Sequence, residues 1–461
     1  MRDLFVFGFV ILTLPKSYRQ PFFGLLVFSW LAYMRPQDLC WGFAREMRLS
    51  FFVGIAMIAG WWANEKGRRA YAVWDVRSVL MVLLTTFITF SYLLAKKNSE
   101  YTTRYFVEYL KIIAVALFVT GQTDTKARLR TMFWTIALSL GFFGVKGGLF
   151  GVLRGGTQIT RGPGGMLEDN NDFALALVMN VPLLWYMGLS ERKLPNARRL
   201  TQIAVGLTVV TVLLTHSRGA FLALSATALW IAWRSGKLVR ATLVLGTLAA
   251  LFPLLAPQHV LERLSTIGDT HESSANARLT AWGTALRMIQ DNPLFGVGIR
   301  NFQTRFLDYA PYGPGEGQTY VSHNSYLQIW AESGSIAFAI YMVMIASVFF
   351  TCRKVYRIGR VRADLAWAAD YARMMEATTI GFMVGAFFLN RGHFDLVYHW
   401  FAMVTALGAV AYTAYMRSPS AEAAPGARTG KVTIGKRPRG AVRAASPAPA
   451  AVVWRRAGRW R

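Results

Sequence analysis

Residues 321–334, VSHNSYLQIWAESG, set one histidine, His323, at the mouth of a long apolar run. Imidazole is the side chain that exchanges a proton near neutral pH, so His323 is the first candidate for general acid–base work. Candidate anion-holding groups are spread more widely. Arg218 sits in the turn THSRG, Arg278 and Arg300 in the polar segment before His323, and Arg154 and Arg161 in the Gly-rich stretch RGGTQITRGPGGMLEDNND. A guanidinium meets a pair of anionic oxygens with two parallel hydrogen bonds and needs no metal to do so.

Each of these residues also has a plainer reading. Arg218 lies between the apolar runs VGLTVVTVLLT and AFLALSATALW, where an arginine is a topology signal, a snorkelling side chain or a site residue. The loop around Arg161 either offers backbone N–H groups to an anion or is a flexible connection. His323 can belong to a helix N-cap region. His216 and His271 read as structural, and His393 and His399 as distant candidates. Absence of CxxC and HExxH spacings leads us to expect no metal, and no cofactor is expected.

The elements that must position these residues are membrane helices. Of the 461 residues 54% are hydrophobic, 16% charged and 14% aromatic, and apolar runs of about 17 to 25 residues recur. The fold class is all-α: a polytopic transmembrane helical bundle of about 12 spans with a long outer loop containing short helices. The expected organisation is transmembrane helices over 1–257, the loop with amphipathic helices over 258–324, transmembrane helices over 325–416, and a basic disordered tail over 417–461. Residues 1–36 read as one net crossing made of two broken pieces, with two separate short spans as the alternative, and are kept as an anchor because no A-x-A cleavage position follows.

The net charge of +27 does not point to nucleic acid, because it is gathered in short connections and in the tail. One alternating set of connections, including the tail, carries about twice the Lys and Arg of the other. By the positive-inside rule that set is cytoplasmic, as are both termini. Arg154, Arg161, Arg218 and the segment ending at His323 then share the outer face. Cys40 and Cys352 fall on opposite sides and cannot pair. In HESSANARLTAWGTALRMIQDNP, Ala277, Leu279, Trp282, Ala285, Leu286 and Ile289 approximate one helical face, with Ser273 or Ser274 as cap, suited to lying along a membrane surface.

The THSRG turn, the R-x-x-x-W helix followed by NPLFGVG, and His323-Asn324 followed nine residues later by Gly334 resemble the bacterial O-antigen ligase and polymerase superfamily. Ala337 stands at the motif's last position, where the family has Gly, Thr or Tyr. MRDLFVFGFVILTLP and LAYMRPQDL resemble its branch of O-glycosylation ligases associated with exosortase systems. The resemblance implies a multi-pass protein of the bacterial inner membrane with a periplasmic active site. It implies a metal-independent glycosyltransferase of lipopolysaccharide biosynthesis, with undecaprenyl-diphosphate-linked glycan as donor and lipid A core oligosaccharide as acceptor. By motif His323, Arg218 and Arg278 carry over as catalytic positions, with Arg161, Arg300, Asn324 and Arg154 as substrate-binding candidates. Alternatives are a polymerase or protein O-glycosyltransferase of the same superfamily and, in another class, a transporter of an anionic lipid-linked glycan.

Overall fold

The computed structural model describes residues 1–96, 98–191, 194, 196–239, 242–243, 246, 273–311 and 317–417. The last part of the expected 1–257 transmembrane region, the first part of the 258–324 loop with His271, and the tail from 418 lie outside them. Among the described residues the chain is all-helical, with one isolated antiparallel bridge between Arg161 and Asp169. The helices are α1 (Arg2–Arg19), α2 (Pro21–Tyr33), α3 (Leu49–Gly60), α4 (Val76–Leu94), α5 (Glu100–Gln122), α6 (Lys126–Leu153) and α7 (Asn170–Ser190). There follow α8 (Ala197–Leu214), α9 (Arg218–Arg234), α10 (Ser273–Asp291), α11 (Ser325–Val361), α12 (Ala366–Ala386) and α13 (Asp395–Met416).

Helices begin where a short polar side chain precedes an apolar run. Asp75, Ser99, Thr125, Asp169, Ser217 and Asn324 each accept a first-turn backbone N–H, at α4, α5, α6, α7, α9 and α11. Seven helices, α4 to α8, α11 and α13, are long and apolar enough to cross a membrane. The chain is therefore a multi-pass helical membrane protein.

Burial follows the apolar pattern. In α7 the consecutive residues Ala174, Leu175, Ala176, Leu177 and Val178 are all buried, as expected for a helix apolar on every side. It packs against α6, α8, α9 and α12. Peripheral helices instead expose large apolar side chains, such as Val79, Leu83 and Leu93 on α4 and Ile203 and Leu213 on α8. Hydrocarbon is the solvent such surfaces match.

Residues 1–36 depart from the single broken crossing. Asp3, at the start of α1, accepts the N–H groups of Gly42 (3.0 Å) and Ala44 (3.2 Å), just beyond the end of α2. At the other end the carbonyl of Tyr18 accepts from Asn64 Nδ2 (3.0 Å), beyond α3. Thus α1 and α2 form a hairpin, turned where Pro21 opens a new helix. The end of α13 lies with the end of α11, where Arg362 Nη1 donates to the carbonyl of Tyr415 (2.9 Å). The start of α1 is at the other end of the bundle, with Arg35 and the His323 turn. The start of α1 and the end of α13 therefore lie at opposite ends of the bundle, because α1 and α2 fold back on each other.

The helix expected in the polar segment is present as α10, but its faces divide differently. Ala281, Ala285, Met288 and Ile289 are buried with Phe302, Phe306 and Ala331. Leu279 and Leu286 are 59% and 49% exposed. Packing against α11 takes one apolar side and leaves the other outward.

Candidate functional site

His323 precedes the first turn of α11 with φ 45°. For a residue with a side chain the left-handed region costs about 1–2 kcal/mol, so both neighbours must hold it. The Ser322 carbonyl accepts Trp282 Nε1–H (3.1 Å), and Ser322 Oγ donates to Asn390 Oδ1 (2.6 Å). On the other side Asn324 Oδ1 accepts the N–H groups of Tyr326 (3.0 Å) and Leu327 (3.1 Å). Ser325 Oγ donates to the Leu389 carbonyl (2.7 Å) and accepts the Arg391 N–H (2.8 Å).

The His323 side chain remains half-buried. Burial first, then the charge of Arg278, pushes its pKa below the ordinary 6.5, while Asp169 opposes them. The imidazole is therefore neutral at pH 7 and able to accept a proton.

Among the described residues three other non-glycine residues have positive φ: Arg35 (47°), His216 (53°) and Arg300 (59°). All four are basic, and all lie at this end of the bundle. Arg35 faces the loop before α7, where a Cβ on Gly165 would fall 2.3 Å from its guanidinium. His216 belongs to the THSRG turn. Backbone strain gathered in this way is characteristic of functional sites.

Arg218 opens α9 and is half-buried, with Ser217 Oγ accepting the Ala220 N–H at 3.3 Å. Gly219 lets this turn approach the loop after α12, since a Cβ there would stand 2.7 Å from Phe388 Cβ. Phe388 is two residues from Asn390, the partner of Ser322. Trp282, one turn beyond Arg278 on α10, sets its ring 5.4 Å from that of Phe387. The Arg218 turn, the Arg278 helix and the His323 turn thus converge on residues 387–391. Asn170 Nδ2 adds the start of α7 by donating to the Thr215 carbonyl (2.9 Å).

The remaining sequence candidates divide. Arg161 is exposed, and its backbone pairs with Asp169. Arg154 is exposed at the end of α6 and lies 4.1 Å over Phe150 of its own helix. Asn324 is buried, and its carboxamide oxygen serves the cap of α11. Arg300 lies under the His323 motif, 4.4 Å over the Tyr105 ring.

The motif's glycine links two stretches that look separate in sequence. Gly334 interrupts α11 with φ 84° and ψ 174°, releasing carbonyls that the NPLFGVG segment satisfies. Val297 N–H donates to Ala331 O and Gly298 N–H to Glu332 O, both at 2.9 Å, while Ser335 N–H donates to Pro293 O at 2.8 Å. The Glu332 carboxylate accepts Gln328 Nε2–H (3.2 Å) and the backbone N–H groups of Arg300 and Phe302. It stands 3.8 Å from His393 Nδ1. Burial, then the charge of Arg300, pushes the pKa of His393 down to about 3, so this histidine is neutral.

Glu332, Asp172 and Arg391 were missed as site-end residues. An acid inside an apolar run was a readable signal for Glu332. The Arg391–Asp172 ion pair joins residues from distant helices, and no local pattern announces it.

Among the described residues, an apolar helical bundle carries four strained basic residues at one end, as in a membrane protein with a polar site face there. A family model described as O-antigen ligase matches residues 203–342, which supports a place for the chain in the O-antigen ligase superfamily. The match contains Arg218, Arg278, Arg300, His323 and Asn324. A second model, of a family of unknown function, matches residues 1–191, which include Arg154 and Arg161. No curated protein matches the chain.

Proposed function

We propose that the protein is an O-antigen ligase of the bacterial inner membrane. It moves a glycan from undecaprenyl diphosphate to a hydroxyl of the lipid A core oligosaccharide at the periplasmic face. The observation that carries this reading is the convergence of a neutral, strained His323 with the turn of Arg218 and the helix of Arg278 on residues 387–391.

In the reaction His323 takes the proton of the acceptor hydroxyl as that oxygen forms its bond to the anomeric carbon. The bond from that carbon to the diphosphate oxygen breaks, and the diphosphate leaves with the electron pair. Arg218 and Arg278 hold the growing negative charge through charge-assisted hydrogen bonds, with Arg161 assisting from the neighbouring loop. A single displacement inverts the anomeric centre. Guanidinium groups supply the charge stabilisation, so the scheme needs no metal. Asn324 contributes by starting α11 and fixing the His323 turn. Arg154, on its own helix, has the weakest claim on the substrate.

The test is to incubate purified full-length protein with lipid-linked glycan and lipid A core. Glycan–core conjugate and released undecaprenyl diphosphate are expected. Longer lipid-linked chains in place of conjugate would instead make the protein a polymerase.

A further inference from the structure

Tyr101 and Tyr105 stand one turn apart at the start of α5, their ring centroids 4.5 Å apart and inclined at 53°. Tyr101 is 53% exposed, so one aromatic face is open. Arg300 lies over the Tyr105 ring at 4.4 Å, and its Nε is buried without a hydrogen-bond partner. Both acids whose charge reaches it are committed elsewhere. Asp172 pairs with Arg391, and the Glu332 carboxylate holds the backbone N–H groups of Arg300 and Phe302.

The arrangement is fixed from both sides. Binding of its N–H by Glu332 keeps Arg300 in the left-handed conformation. The next residue, Asn301, accepts Thr102 Oγ1–H on Oδ1 (3.0 Å) and donates from Nδ2 to Asn98 Oδ1 (3.3 Å). The NPLFGVG segment is thereby fastened to α5 beside Tyr101.

We propose that Tyr101, Tyr105 and Arg300 form a saccharide-binding subsite, which stacks a sugar ring on the tyrosines and donates from the guanidinium to its hydroxyls. This rests on the glycosyltransferase reading above and adds where a sugar is held. A pyranose has an apolar C–H face and a polar rim, which an aromatic plane and a planar donor fork match respectively. A single guanidinium laid over a tyrosine ring, with two acids close by, suits a neutral hydroxylated ligand better than a diphosphate. Tyrosines serving only as a belt at the membrane interface would not account for the buried, unbonded Nε of Arg300 beside them.

The experiment uses full-length protein in detergent and saturation-transfer NMR with two probes: the glycan cut from its lipid carrier, and delipidated core oligosaccharide. Tyr101→Ala and Tyr105→Ala should abolish the transfer signal for one probe, which identifies that sugar as donor or acceptor. They should also raise the KM for the matching substrate by about three- to ten-fold with kcat retained. Tyr105→Phe, which keeps the ring, should retain most of the signal. Unchanged signals for both probes, with KM within about two-fold, overturn the subsite. Tyrosine-dependent saccharide binding by a wild-type protein that transfers no glycan would support the subsite and contradict the proposed ligase.

Discussion

The backbone N–H of Ser335 donates to the carbonyl of Pro293 at 2.8 Å, across the break that Gly334 makes in α11. The histidine motif and NPLFGVG are therefore one piece of structure, and its weakest point is the glycine. A Cβ on Gly334 would lie 2.0 Å from the Leu294 carbonyl at φ 84°. Gly334→Ala should destabilise the protein by at least about 3 kcal/mol, combining left-handed strain with displacement of backbone. Thermal unfolding in detergent checks this, and an unshifted midpoint would contradict it.

Arg218 should be hard to replace. Arg218→Ala should lower turnover by about 10²-fold, as for loss of one donor to a developing oxyanion. Arg218→Lys should recover only part of that, because ammonium lacks the planar fork. Initial rates of undecaprenyl diphosphate release give the comparison, and full activity in both variants would remove Arg218 from the site.

The Arg391–Asp172 pair lies at the site end with side chains 17% and 7% exposed. Asp172→Asn should cost about 3 kcal/mol, because it leaves a largely buried guanidinium without its counter-charge. The double variant Asp172→Leu, Arg391→Met should be the less damaged of the two. Denaturant or thermal unfolding of the variants reads the difference.

The pH dependence follows from the sign of the His323 shift. Its pKa is lowered from 6.5, and the base must be neutral to work. The rate should therefore be level through pH 7 and fall as pH drops through the lowered pKa, below 6.5. A kcat/KM profile measured from pH 4.5 to 8 checks this, and an acid limb centred above 6.5 would contradict it.

The sequence was informative wherever physics is local. Apolar runs disclosed the helices, and His323 and Arg218 stood out because polar groups are costly beside hydrocarbon. Residues 1–36 left one crossing or two open because two short apolar pieces separated by Pro21 look alike whether they continue or fold back, and only the Asp3 contacts with Gly42 and Ala44 decide. The outward face of Leu279 and Leu286 was not legible either, since periodicity finds an apolar stripe but not which part a neighbour covers. The Tyr105–Arg300 and Asp172–Arg391 contacts depend on tertiary approach between distant segments.

The central claim is that His323 is the base. The most direct measurement is single-turnover transfer by purified full-length His323→Ala, given lipid-linked glycan and lipid A core, beside wild type. Donor binding should be retained while conjugate formation falls by about 10²- to 10⁴-fold, the usual contribution of a positioned base. Conjugate formation at the wild-type rate would contradict the account.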